Sequence, residues 1–177
     1  MNNTSNLISS QEEEKLVKSN QAEKYLTLYI DGQIFAIPSG QVVEIVRIQN
    51  ITLMPKLPPY VKGVINLRGK IVPLIDLRLK LSKPALEYND QTSIVVTQVD
   101  DAVIGLIVDS VDDVTDISAA DVNETPSLGR EKNNDFVTGI VTLAKGPALL
   151  LNLNKILTEN EDYQQLERKS QPEEDKG

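Results

Sequence analysis

A chain of 177 residues, 40% of them hydrophobic, can bury one sizeable core or two small ones, and its 4% aromatics favour packed strands over broad ligand-stacking surfaces. It has no Cys and no His, which excludes thiol nucleophiles, imidazole bases, disulfides and every His or Cys metal site. The formal net charge of −8 argues against a nucleic-acid backbone as partner, and much of it is peripheral, since residues 159–177 carry seven acids against three bases.

The amino-terminal segment MNNTSNLISSQEEEKLVKSN has no basic cluster followed by an apolar stretch, and no apolar run approaches the roughly 20 residues of a membrane span. A soluble, cytosolic chain is expected, with residues 1–22 and the acidic residues 169–177 as disordered tails.

Strand signals begin at KYLTLYI (Lys24 to Ile30), which alternates and meets Asp31-Gly32 before QIFAIP (Gln33 to Pro38). Asp-Gly between two such runs predicts a tight hairpin, because a type I′ turn needs positive φ at both central residues. QVVEIVRI (Gln41 to Ile48) follows, then a connection marked by Pro55, Pro58 and Pro59, which cannot donate to a ladder. GVINL (Gly63 to Leu67) and IVPLIDL (Ile71 to Leu77) flank the short turn Arg68-Gly69-Lys70.

The same order then recurs. SIVVTQV (Ser93 to Val99), the turn Asp100-Asp101 and AVIGLIV (Ala102 to Val108) repeat the first hairpin, and Val42, Glu44 and Ile45 fall on Val111, Asp113 and Val114 at an offset of 69. GVINLRGKIVPLIDL aligns without gaps to GIVTLAKGPALLLNL (Gly139 to Leu153) at an offset of 76, so the second copy holds seven extra residues in the loop from Ser118 to Asn134. Each copy has enough strands to close on itself. The expected fold is mainly all-β: two five-stranded β-barrel subdomains in tandem, about 23–85 and about 90–153, inside a domain spanning 23–158. Asp76 and Asn152 each precede a helix-compatible stretch and are expected to cap it, and a C-terminal helix is expected over about 154–168.

Carboxylates offer the one remaining catalytic route, through Glu44 with Asp76 or through Asp109 with Asp112 and Asp113. No phosphate loop, HExxH or nucleophile elbow accompanies them, and solvated turn and edge carboxylates explain them better. No enzymatic activity, cofactor or metal is expected. Arg68 is the informative residue. It stands in an apolar segment beside Gly69, where the short turn leaves its guanidinium projecting at the barrel end, suited to pair with a carboxylate or with several backbone carbonyls, and with an intramolecular bridge to Glu44 as the structural alternative. The second copy replaces Arg68-Gly69 by Ala144-Lys145, so the pair is not needed merely to join two strands.

GVINLRGKIVPLIDL, the upstream hairpin with Val-x-Glu-Ile, the proline-bearing loop before Gly63 and LIVDSV (Leu106 to Val111) together resemble the CheW family of chemotaxis coupling proteins, over roughly Lys24 to Leu157. The resemblance implies interlocked SH3-like barrels and a non-catalytic adaptor. Its partners would be the cytoplasmic tip of methyl-accepting chemoreceptors and the regulatory domain of a CheA-type histidine kinase, with the protein monomeric alone and polymeric in receptor arrays. By position it assigns receptor coupling to Val42, Glu44, Gly63, Arg68 and Gly69, and kinase contact to the loop with Asn123 and Leu128, where Arg and Phe are the more familiar residues. A chemosensory pathway controlling pili or surface behaviour rather than flagella is the alternative. An adaptor fused to a receiver domain, a carboxylate hydrolase and an oligonucleotide-binding protein fit less well: about twenty residues follow Leu157, the acids lack partners for catalysis, and acidity with few aromatics disfavours nucleic acid.

Overall fold

The computed structural model describes residues 10–11, 22–125 and 136–158. Ten strands and two short helices run in the order β1 (Ala22–Ile30), β2 (Gln33–Pro38), β3 (Val42–Arg47), β4 (Val61–Leu67), β5 (Lys70–Asp76), α1 (Leu77–Lys80), β6 (Ser93–Val99), β7 (Ala102–Val108), β8 (Ser110–Ser118), β9 (Val137–Leu143), β10 (Gly146–Leu151) and α2 (Leu153–Thr158). Every strand expected from the β-former runs is present. The expected tails fall outside the described residues apart from Ser10, Gln11 and Ala22, and so does the expected C-terminal helix beyond Thr158.

The strands form two five-stranded sheets, in the orders β8-β1-β2-β10-β9 and β3-β6-β7-β5-β4. This corrects the expected fold of two barrels in tandem. Both sheets are open, because among the described residues β8 makes no ladder with β9 and β3 makes none with β4. Nor are the sheets consecutive along the chain. Hairpin β1–β2 joins the sheet of β8, β9 and β10 through an antiparallel ladder to β8 and a parallel one to β10, which sets Ala148, Leu149 and Leu150 against Ile34, Phe35 and Ala36. Hairpin β6–β7 joins β3, β4 and β5 in the equivalent way, with Leu74 against Gly105.

Replacing each strand by its repeat counterpart, β1 by β6 through β5 by β10, converts one sheet order into the other. The internal repeat is therefore real at the level of topology, but the copies have exchanged hairpins. Counting strands along the sequence could not reveal this, because a hairpin is specified locally and its outer neighbours are not.

Alternation along each strand divides the apolar residues among layers. In β6, Val95 and Val99 enter a central core with Leu28, Ile30, Phe35, Leu106, Leu151 and Ile156, which both sheets share. Ile94 and Val96 point the other way, onto Ile65, Val72, Leu74 and Ile107. A smaller cluster of Ala36, Ile117, Val141 and Leu150 takes the corresponding place on the other sheet.

The Asx residues cap as expected. Asp76 Oδ1 accepts from the Leu79 amide and Asn152 Oδ1 from the Lys155 amide, each at 3.3 Å. Asp76 is buried and its other oxygen accepts from the Tyr88 hydroxyl at 2.7 Å, while burial first and the neighbouring carboxylate second push the Tyr88 pKa far up. Both oxygens of Asp76 thus serve the fold.

Candidate functional site

The residues singled out in the first repeat converge on β3 and β4, the two edge strands of one sheet. The turn Arg68-Gly69 has positive φ at both positions, 51° and 84°, the type I′ geometry that matches the twist of its strands. The Gly69 amide is held by Asn66 Oδ1 at 2.9 Å, and a Cβ on Gly69 would meet nothing within 4 Å. Its glycine therefore answers to backbone conformation and not to crowding. Arg68 occupies a left-handed conformation that costs an ordinary side chain about 1 kcal/mol or more. The second copy solves the same turn differently, placing positive φ on Gly146 and none on Ala144 or Lys145.

From that turn Arg68 Nη2 donates to Glu44 Oε2 on β3, so the intramolecular bridge exists and spans the two sheet edges. The guanidinium is still 74% exposed whereas the carboxylate is 23% exposed, so Glu44 anchors Arg68 and leaves most of the cation facing solvent. The second repeat makes the same kind of bridge with each partner moved by one position. Lys145 pairs with Asp112, which also accepts from the Thr27 hydroxyl. That contact lowers the Asp112 pKa and raises that of Lys145.

Gly63 works by close approach. Its φ is 136°, and a Cβ there would land on the Thr52 carbonyl oxygen, where Thr52 and Val64 exchange two backbone hydrogen bonds of 2.9 Å. The counterpart Gly139 faces Val122 and Asn123, and Asn123 exchanges backbone hydrogen bonds of 2.9 and 2.8 Å with Ile140. Gly63 is thus a crossing point that seats the 51–53 segment on β4. Asn123 does the same work through its backbone in the second repeat, and Leu128 lies outside the described residues.

Val42 is half-buried and packs on the central core, so it supports the strand from inside. Its neighbours point the other way: Val43 is 53% exposed and Ile45 44%. Sequence reasoning used Ile45 only to align the repeats and named neither as a contact residue, although VVEIV carries aliphatics on both parities, more than a strand with one buried face requires. Arg78 was missed as well. It is buried on α1; Nε donates to both Asp109 oxygens (2.8 and 3.0 Å), Nη2 to Asp31 Oδ1 (3.1 Å) and Nη1 to the Pro84 carbonyl (2.7 Å). The Asp109 hydrogen bond raises the Arg78 pKa further. This cluster ties the β1–β2 turn, the end of β7 and the chain after α1 together, and a lone Arg in the apolar stretch LRLKL was its sequence signal.

Each acid once considered for catalysis is thereby engaged: Glu44 by Arg68, Asp76 by its cap and Tyr88, Asp109 by Arg78, and Asp112 by Lys145. The Asp113 carboxylate accepts from the Val114 amide. An ion-paired turn with a left-handed Arg68, on a sheet edge that also exposes Val43 and Ile45, is the kind of surface a protein-docking module presents.

Comparison with known proteins identifies which module. Residues 24–161 match the CheW-like domain. The chain is 36% identical over 131 residues to the chemotaxis protein CheW of Bacillus subtilis, covering 74% of this chain and 82% of that one. It is 29% identical over 147 residues to CheW of Klebsiella aerogenes, covering 83% and 89%. A crystal structure of the scaffolding protein TtCheW from Thermoanaerobacter tengcongensis superposes with a TM-score of 0.71 at 26% identity, over 77% of this chain and 93% of that one. The chain belongs to the CheW family, and it is a non-enzymatic adaptor that couples chemoreceptors to a CheA-type kinase.

Proposed function

We propose that the β3 and β4 edge is the receptor-binding surface and that the segment following β8, with Asn123 and Leu128, meets the regulatory domain of the kinase. The observation that carries the first assignment is the Glu44–Arg68 bridge. It presents an oriented, mostly exposed guanidinium bound to the strand that also carries the exposed Val43 and Ile45. An amphipathic helix at a receptor tip would lay its apolar face on the two aliphatics and offer a carboxylate to Arg68. Within this reading Val42, Gly63 and Gly69 act indirectly, by supporting the strand, seating residues 51–53 and shaping the turn.

Two weak contacts on one small body become strong together, because each bound partner raises the effective concentration of the other. A receptor signal changes kinase activity to the extent that its two states bind this surface with different free energies. The adaptor would be cytoplasmic and recruited to membrane-associated receptor arrays, monomeric by itself and polymeric there. Among the described residues no helix is long and apolar enough to cross a membrane.

Titration of labelled receptor cytoplasmic fragments and of the kinase regulatory domain, separately, tests the assignment. Arg68→Ala is expected to weaken receptor binding by about tenfold, the scale of one interfacial anchor, and to leave kinase binding unchanged. Full receptor-dependent kinase control in that variant would refute the receptor surface.

A further inference from the structure

The two repeats differ in what packs on the outer layer of each sheet. In the first, Tyr88 belongs to the irregular segment that follows α1; its ring packs on the cluster containing Leu74, Ile94 and Ile107, and its hydroxyl donates to Asp76. All of residues 84–90 except Tyr88 are exposed, so a single aromatic side chain covers this part of the sheet.

The second repeat keeps the seat. At the repeat offsets of 69 and 76, Ile94, Ile107, Leu74 and Asp76 become Tyr25, Pro38, Leu150 and Asn152. The ladders bear out the correspondence: Tyr25 opposes Pro38 as Ile94 opposes Ile107, and Leu150 lies beside Ala36 as Leu74 lies beside Gly105. These four counterparts line one open cavity of about 360 Å³, together with Gln41 and Thr138. A cavity of roughly 150 Å³ is enough to hold benzene, so a phenol ring has room here. Asn152 Oδ1 accepts from the α2 amide of Lys155, whereas its Nδ2 has no hydrogen-bond partner among the described residues. That group donates where Asp76 accepts, and a phenol oxygen can serve either. None of the residues assigned above to receptor or kinase lines this cavity.

The occupant is not supplied at the corresponding place in the second repeat, because the offset of 76 sets Gln164 where the first repeat has Tyr88. Nor does a second copy offer one of the described tyrosines, since Tyr25, Tyr29, Tyr60 and Tyr88 are all half-buried. We propose that the cavity between Tyr25, Pro38, Leu150 and Asn152 seats the side chain of a tyrosine carried on an irregular segment of a partner protein, as the first repeat seats its own Tyr88. The ring would lie on Leu150 and Pro38, and its oxygen would accept from Asn152 Nδ2. The flanking residues of the partner would face solvent, as those around Tyr88 do, so the phenol is what the site recognises.

The test uses the full chain with two probes: the peptide PALEYNDQ, a copy of Pro84–Gln91, and p-cresol, the free tyrosine side chain. The peptide is expected to shift the amide signals of Gln41, Thr138 and Asn152 saturably, and p-cresol to compete with it. Tyr88→Phe within the peptide is expected to weaken binding about three- to tenfold, the scale of one hydrogen bond, and Tyr88→Ala within it to abolish the shifts. Thr138→Trp in the protein fills the cavity from an exposed wall position and is expected to block both probes. No shift in the parent chain, equal binding of the Tyr and Phe peptides, or undiminished binding to folded Thr138→Trp overturns the proposal. Shifts at Leu74 and Ile107 in place of the second-repeat signals put the peptide in the first seat and overturn it too. Binding of p-cresol without the peptide makes the cavity a site for free phenols and overturns the protein partner. Silence in the parent with shifts in Tyr163→Ala hands the cavity to this chain's own tyrosine and overturns the proposal equally.

Discussion

Arg78 gives the sharpest test of how the exchanged hairpins are held. In Arg78→Ala, the hydrogen bonds to Asp109, Asp31 and the Pro84 carbonyl are lost together, from a side chain only 10% exposed. Breaking a fully buried ion pair costs about 3–5 kcal/mol, mainly through the carboxylate left without its partner. Here water can reach the acids, since Asp31 is 43% and Asp109 23% exposed, and Asp109 keeps the Asp31 amide at 2.8 Å. The expected loss is therefore about 2–4 kcal/mol, or roughly 5–15 °C in Tm for a domain of this size. Urea denaturation followed by circular dichroism measures it, with an unchanged m-value as the sign that the unfolded state is not involved. Arg68→Ala is the matched control, because its guanidinium is exposed and has one carboxylate partner, and it is expected to stay within about 1 kcal/mol of the parent. If Arg78→Ala were as mild as Arg68→Ala, the cluster would not be what fastens the β1–β2 turn to β7 and α1.

Two further outcomes follow from the paired repeats. Gly63→Ala meets both a glycine-specific φ and a backbone carbonyl, and is expected to cost about 2–5 kcal/mol; Gly139→Ala has no such φ, meets the Val122 side chain at 2.5 Å and is expected to cost about 1–3 kcal/mol, so equal losses in chemical denaturation would count against backbone crowding at Thr52 as the cause. Asp112 has its pKa lowered in the fold by Lys145, so its pairing adds stability that is full above the ordinary carboxylate range and is lost as pH falls through the depressed value. The stability difference between the parent and Asp112→Asn is accordingly expected to shrink towards zero below about pH 4 in pH-resolved denaturation, and a difference that persists there would assign the effect to packing.

Much of the local structure was legible in the sequence because it is specified by neighbours. Asp31-Gly32 forces a tight turn through its own backbone, Asp76 and Asn152 cap the helices that begin immediately after them, and period-two runs of Val and Ile mark strands before any partner is known. The loss of Arg68-Gly69 in the second copy set that turn apart in the sequence, since a feature present in one repeat and absent from the other is not demanded by shared architecture. Gly63 was legible as special, but the reason was not: the carbonyl it makes room for belongs to Thr52, eleven residues away. Leu128 and the rest of the loop from 126 to 135 lie outside the described residues, so the sequence remains their sole support.

What the sequence determined by itself was the inventory of strands, turns and caps, the internal repeat and the CheW resemblance, all carried by short-range patterns or by ungapped alignment. What only the tertiary structure decided was which strands share a sheet, and with it every contact that depends on that choice. Parallel pairing of β2 with β10 joins Ile34 to Ala148, and no turn connects them to record the register. The same long-range step brings Asp31 to Arg78, Thr27 to Asp112 and Glu44 to Arg68. A guanidinium in an apolar segment announces that a carboxylate is needed, but Coulomb attraction acts on distance in space, and that distance is set only once the hairpins have exchanged.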